Sequence, residues 1–329
     1  MNTFHKFLNE KMDLESFEDG KRITAVSTNH WGMTNSVGQI DKVVVHRPGA
    51  EIQELKKSVF EKKSNSLVLR DKNGRIKNYC QAAQPPNLER MQAQHDQLIK
   101  TLIKMGAQVI ELQETSLEWT NRLFTRDIGM VIPGGMIVAQ LALFLRRGET
   151  DMALKTFADL GIPIYGSIQG EGTMEGGSFL LLNERLALVG RSIRVNQEGI
   201  DQLRSILSQH SIELISVDLP ATLIHLDEAI TMVDIDKALV DPALLPFWLL
   251  EELQSKGIQL ICLDSNDSSA INNCLTIAPG KVIFAESESK TFTKLEKFGI
   301  ELHSVDVSEI TKMGGGINCV TLPLIRADI

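Results

Sequence analysis

The chain has 329 residues, 43% of them hydrophobic and 23% charged, with a formal net charge of -8, an ordinary balance for a globular protein long enough to bury a full core. The acidic excess argues against nucleic acid or an anionic membrane surface as the main partner and accommodates a small cationic substrate. Met1 to Lys11 has no apolar run of the secretory type, and the most apolar stretch, Met130 to Leu145, is broken by Pro133-Gly134-Gly135, so a cytoplasmic protein without membrane contact is expected.

In chain order, residues 1–35 are polar and weakly patterned and read as an N-terminal extension. Residues 36–329 read as one catalytic domain, in which 51–87 form an irregular insertion marked by Lys56-Lys57, Lys62-Lys63 and Asp71-Lys72-Asn73-Gly74. Pro85-Pro86 closes the insertion. Leu88, Met91, Leu98, Leu102 and Met105 then have roughly helical spacing and end at Gly106, before a short strand at Val109-Ile110. The same helix, turn and strand recur. Met152–Leu160 leads to Gly161 and Ile200–Leu207 to Ser211, while Phe247–Leu253 leads to Gly257 and Phe292–Phe298 to Gly299. Gly129–Leu143, Gly176–Val189 and Ala270–Ala285 have the pattern of strand–turn–strand. Five such units, each too small to fold alone, predict a closed ring with a helix outside each unit; an open α/β sheet fits the periodicity equally well.

One polar segment follows each repeat strand: Asn121 to Asp127, Glu175-Gly176-Gly177-Ser178, His225-Leu226-Asp227-Glu228, Asn272-Asn273-Cys274, and Gly314-Gly315-Gly316-Ile317-Asn318-Cys319. Equivalent positions in a ring point at one axis, which would gather a thiol, an imidazole and several carboxylates. That set matches attack on a guanidinium carbon. The planar cation is recognised best by bidentate carboxylates, for which Asp127 and Asp227 are the candidates. Its resonance-stabilised carbon needs a strong nucleophile, the Cys319 thiolate, which a bound cation and a nearby imidazolium favour. His225 would protonate the departing amine and then activate water, with Glu175 orienting it or holding it charged. Asn121, Phe124, Asn273 and Asn318 lie in the same segments and are expected to contact substrate. Cys80, Cys262 and Cys274 read as small core hydrophobes, and His5, His30, His46, His95, His210 and His303 as structural or exposed. With no Cys-x-x-Cys pair and no His-x-x-x-His spacing, neither a metal nor a cofactor is expected.

At these residues the chain resembles the guanidino-group-modifying superfamily of arginine deiminases, dimethylargininases, agmatine deiminases and amidinotransferases. The matching segments are Val43 to Gly49, Phe124-Thr125-Arg126-Asp127, Glu175-Gly176-Gly177, Gly190 to Arg194, His225-Leu226-Asp227, Ala278-Pro279-Gly280 and the glycine run before Cys319. The resemblance implies a five-bladed α/β propeller, the pentein, of repeated ββαβ units. It implies Cys319 as nucleophile, His225 as acid/base, Asp127 and Asp227 as guanidinium ligands, Glu175 as support, and Arg194 where arginine deiminases bind the substrate carboxylate. Three departures stand out: Met313 replaces the arginine that arginine deiminases carry before the glycine run, Asn318 stands where many relatives have histidine, and Ser178 replaces an aspartate.

The expected reaction is hydrolysis of arginine or a substituted guanidine through a covalent thiouronium, releasing ammonia or an alkylamine and a ureido product. Alternatives are an amidinotransferase, a non-catalytic pentein that binds a partner, and a Cys/His/Asp acyl-transfer hydrolase that would leave the paired aspartates unexplained. A homo-oligomer is compatible with all of them.

Overall fold

The computed structural model describes residues 31–112 and 119–329. Its organising unit is a three-stranded sheet whose central strand pairs antiparallel with one edge and parallel with the other. A helix spans the parallel connection, because two parallel neighbours cannot be joined by a tight turn.

Five sheets are built this way. In the first, β1 (Ile40–Val45) is central, and α1 (Leu88–Lys104) carries the chain to the parallel edge, β5 (Gln108–Glu111). The second runs β6 (Gly129–Ile132), β7 (Gly135–Val138), α2 (Gly148–Asp159) and β8 (Ile164–Ser167). The third runs β9 (Phe179–Asn183), β10 (Leu186–Arg191), α3 (Gln197–Gln209) and β11 (Glu213–Asp218). The fourth runs β12 (Ile230–Asp234), β13 (Lys237–Val240), α4 (Phe247–Ser255) and β14 (Gln259–Cys262). The fifth runs β15 (Leu275–Ala278), β16 (Lys281–Ala285), α5 (Lys290–Lys297) and β17 (Glu301–Val305). A single helical turn, α6 (Ser308–Thr311), then leads to β18 (Leu322–Arg326), which pairs antiparallel with β1 and completes the first sheet from the far end of the sequence. These are the five blades of the expected α/β propeller.

The junctions found in the sequence carry one backbone device. Gly106, Gly161, Ser211, Gly257 and Gly299 all have positive φ, between 58° and 96°. The next amide then reaches back to the last helical turn, as in Ala107 to the Leu102 carbonyl and Ile258 to the Leu253 carbonyl, both 3.0 Å. This ends each helix and turns the chain into the parallel strand. Burial follows the same plan: every residue of β6 and β7 is buried, and Phe157 of α2 packs into the same cluster as Met130 and Ile137.

Three expectations need correction. The insertion is not irregular. After a 3-10 helix (Ala50–Lys57) it forms an antiparallel sheet of β2 (Val59–Glu61), β3 (Ser66–Arg70) and β4 (Ile76–Cys80). Its strands of three to five residues lie between charged turns, too short for alternation to stand out. The extension also ends earlier than expected. Trp31, Met33 and Asn35 are buried, and the Gly32 and Met33 amides donate to Leu324 and Ile132, stitching β18 to β6. The remainder of that extension, with His5 and His30, lies outside the described residues. Cys262, at the end of β14, is exposed, whereas Cys80 and Cys274 are buried as expected.

Ser211 is the one junction residue that carries a Cβ in the left-handed region, a conformation that costs an L-residue about 1–2 kcal/mol. Ser211→Gly is expected to stabilise the fold by about 1 kcal/mol and Gly257→Ala to destabilise it by about as much. A Cβ at Gly257 meets nothing within 4 Å, so that loss is one of backbone alone. Urea denaturation of the two variants checks both signs.

Candidate active site

Each polar segment lies immediately before the antiparallel edge strand of a blade, in a tight turn: Thr125–Ile128 before β6, Gly176–Ser178 before β9, Leu226–Glu228 before β12 and Ser269–Asn272 before β15. The Gly314–Cys319 loop precedes β18 in the same way. The repeat therefore delivers one side-chain set per blade to one place. Asn121, Phe124, Asp127, Arg194, His225, Asn273 and Cys319 line a cavity of about 260 Å³. Glu175, Asp227 and Asn318 stand behind that lining, bonded to residues that form it or that flank it.

Cys319 is buried. The Asn273 side-chain amide donates to its sulfur at 2.9 Å and accepts from its backbone amide at 3.2 Å, while Asp227 Oδ2 lies 3.9 Å from the sulfur. Burial and the Asp227 charge push the thiol up to about 11, against the pull of His225. His225 Nε2 is 2.7 Å from Glu175, and Nδ1 is 3.7 Å from Asp127. Burial opposes a charge on the imidazole, but Asp127, the Cys319 side chain and Glu175 outweigh it and hold His225 well above its ordinary value. Burial likewise disfavours the Glu175 carboxylate, yet His225, Arg194 and Arg146 bring it down to about 2. At neutral pH the pair at rest is thus a thiol beside an imidazolium. The imidazolium alone does not generate the thiolate.

The aspartates depart from the bidentate clamp expected of them. Asp127 Oδ2 accepts from Arg146 at 2.6 Å and Asp227 Oδ2 from the Asn318 amide at 2.7 Å, and the Oδ1 atom of each is buried without a partner. Neither Oδ1 accepts a hydrogen bond, although that of Asp127 lies 3.7 Å from His225 Nδ1, so each aspartate has one oxygen to offer in place of a fork. Burial raises Asp227 to about 7, with Glu228 adding to it and His225 and Asn318 opposing. Donor atoms of Asp127, Glu175 and His225 lie within 4.8 Å of one another, but Arg146 and Arg194 already neutralise the two carboxylates.

Glycine is needed at Gly177 because a Cβ there would lie 2.8 Å from His225 Nδ1 and 3.0 Å from Asp127 Oδ1. In the glycine run, a Cβ at Gly315 would lie 2.5 Å from the Phe124 ring and 3.1 Å from Cys319.

The sequence reading missed two groups. Arg146 is buried, bonded to Asp127 and to both oxygens of Glu149, and its guanidinium lies 5.9 Å from the Phe124 ring. The spacing of Arg146 and Glu149, one helical turn apart, was the available signal. Tyr79, from β4 of the insertion, bonds Arg194 at 3.2 Å and lines the cavity with Gln81. Nothing in the sequence ties that segment to the repeat. Arg194 itself reaches the cavity while paired with Glu175 at 3.2 Å.

The fold is that of the pentein class. More particularly, residues 65–326 match the model described as N,N dimethylarginine dimethylhydrolase, eukaryotic, and the chain belongs to that family. Among curated relatives it is similar to arginine deiminases of Listeria monocytogenes (28% identity) and Limosilactobacillus reuteri (27% identity), each match covering 64% of this chain and 62% of the relative. The chain thus spans less than two thirds of the length of those relatives. Among solved structures it superposes on the dimethylarginine dimethylaminohydrolase of Pseudomonas aeruginosa in its citrulline complex, with TM-score 0.69, 19% identity, and 86% of this chain and 99% of that one covered. It also superposes on SxtG, an amidinotransferase of Microseira wollei, with TM-score 0.71, 16% identity, and 91% and 98% covered. At such identities these two establish the fold alone. No described helix is long and apolar enough to cross a membrane.

The raised Asp227 carboxyl has a consequence for stability. A group whose folded value lies above its unfolded one contributes stability that is fully present below the ordinary carboxylate range and is lost as pH rises through about 7. Asp227→Asn is therefore expected to melt at a higher temperature than the native chain at pH 8, with a smaller advantage at pH 5.5. Thermal melts at the two pH values check this.

Proposed function

We propose that the chain hydrolyses the guanidinium group of arginine or a substituted arginine through a covalent Cys319 thiouronium. The observation that carries the reading is the convergence, at one cavity, of a buried thiol, an imidazole bonded to Glu175 and two buried aspartates that each have one oxygen accepting no hydrogen bond. In this array a cation is what is missing. A guanidinium that donates to Asp127 Oδ1 and Asp227 Oδ1 brings positive charge to the sulfur, which lowers the cost of losing the thiol proton where it is otherwise high.

The thiolate then adds to the guanidinium carbon, giving a tetrahedral adduct. The His225 imidazolium gives its proton to the departing nitrogen, ammonia or an alkylamine leaves, and the thiouronium forms. Neutral His225 next takes a proton from water as it adds to the same carbon. The C–S bond breaks as the adduct's hydroxyl proton passes to the sulfur, which gives the ureido product and restores the thiol with His225 as the imidazolium. The thiol proton shed to solvent at the start ends on the released ammonia or alkylamine. Glu175 keeps the imidazole charged and oriented at the start of each cycle. Arg194, on the cavity wall and linked to Tyr79, is the group we assign to a substrate carboxylate.

A panel of guanidines and amidines, assayed for ammonia, alkylamine and ureido products, tests the reaction. Cys319→Ala is expected to abolish turnover, and retained turnover would rule out the covalent route. Added glycine, lysine or ornithine is expected to leave the products unchanged; a new guanidino compound would show amidino transfer instead. Because the cation needs the Asp227 carboxylate charged, kcat/KM is expected to fall about tenfold per pH unit below about 7. Asn318→Ala removes a hydrogen bond that favours that charge and should move the inflection upward.

A further inference from the structure

Arg126 stands in the Phe-Thr-Arg-Asp segment, yet the proposed chemistry gives it no task. It lies part-buried on the wall of a second cavity, of about 40 Å³, which Asp227, Cys274, Asn318 and Arg326 also line and Cys319 does not. We propose that this cavity is a binding site for one small monovalent anion of the halide class, held between Arg126 and Arg326.

The case rests on charge and donors. Arg126 Nη2 donates to the Asn318 side-chain oxygen at 2.7 Å. Arg326 is buried; its Nη1 donates to the Gly38 carbonyl at 2.7 Å, and its Nε has no partner. Burial, and then repulsion from Arg126, bring Arg326 down to about 9, and no carboxylate offsets them. Asp227 is the single carboxylate on the cavity wall. Asn318 stands between it and Arg126, accepting from the guanidinium and donating to the carboxylate. The part-buried Arg126 and the buried Arg326 thus face one carboxylate that is itself only partly charged near neutrality, and a monovalent anion offsets the excess positive charge. An uncompensated buried charge is costly, so the balance matters to the fold.

The rest of the wall favours an anion over a neutral polar molecule. The hydroxyls of Ser36, Thr231 and Thr276 donate to the Leu181, Asn272 and Met232 carbonyls and Arg126 Nε to the Asn318 carbonyl, leaving Arg326 Nε as a buried donor without a partner. Met33, Ile230, Met232 and Leu275 supply an apolar surround. The volume exceeds the roughly 10–15 Å³ that one water requires, which suits a halide in place of one or two waters.

Thermal melts of the full chain in sodium chloride, sodium bromide and sodium gluconate at equal ionic strength test the site, since gluconate is too large to enter. The halides are expected to raise the melting temperature by about 2 °C or more over gluconate, along a saturating curve. Arg326→Met should lose that increment while melting in gluconate no lower than the native chain. Equal melting temperatures in the three salts, or an undiminished increment in the variant, would overturn the proposal. Should the variant fail to fold, crystals of the native chain grown in bromide decide the matter. An anomalous peak within hydrogen-bond distance of Arg326 Nε supports the site, and no peak there sinks it. None of these readings depends on turnover, so the anion site and the proposed hydrolysis fail independently.

Discussion

Glu175 carries a negative charge where water does not reach, and much of the centre is arranged around that cost. A buried carboxylate is tolerated only when it is paired and hydrogen-bonded. Here three separate stretches meet the need: the Ala142 amide beyond β7 at 3.1 Å, Arg194 beyond β10 at 3.2 Å, and His225 before β12 at 2.7 Å. The charge on His225 answers to Asp127 first and to Cys319 and Glu175 beside it. Asp127 repeats the arrangement with Arg146, itself held by Glu149. The thiol, at about 11, and the half-protonated Asp227, at about 7, are the exceptions in an otherwise ionic array, and a cationic ligand favours loss of both protons.

The five-blade plan was legible because it is written in local chemistry. A positive-φ residue must end each helix, and glycine at four of the five junctions makes the period visible. The motif residues were legible for a related reason, since each occupies an equivalent turn before an edge strand. Arg146 and Tyr79 were not, because neither occupies a repeat position. Arg146 lies between blade elements, in a Leu-Arg-Arg stretch that reads as surface, and becomes interior only because Asp127 and Glu149 close over it. The third hairpin-and-helix junction was harder than the rest for the same local reason: Ser211 tolerates a conformation its sequence does not advertise. The geometry of the aspartates was beyond sequence altogether. Which oxygen of Asp127 or Asp227 stays free depends on Arg146 and Asn318, neither of which the motif pattern identifies as a partner.

The insertion shows how an element outside the repeat acquires a place in the site. Glu51 is buried against Arg122 at 3.0 Å and His46 at 3.4 Å, which fixes the start of the insertion to the segment that carries Asn121. Further along, Asn78 accepts from Thr120, Tyr79 bonds Arg194, and the Gln81 amide donates to the Lys312 carbonyl beside the glycine run. One short strand thus touches the approaches to Asp127, the Arg194 side chain and the nucleophile loop. The repeat determines where the reactive groups converge; the rim of their cavity is set by a segment the repeat does not dictate.

Asn318 links these observations. Its carboxamide does what a protonated histidine cannot: it accepts from Arg126 and donates to Asp227 at once. A cationic ring in its place would face the Arg126 guanidinium, and Coulomb repulsion at that distance in a buried setting is severe. A neutral amide avoids that conflict and also gives up charge that would have held Asp227 fully ionised. Burial leaves Asp227 half-charged near neutrality, and Asn318, which both donates and accepts, holds its Oδ2 beside the Arg126 guanidinium.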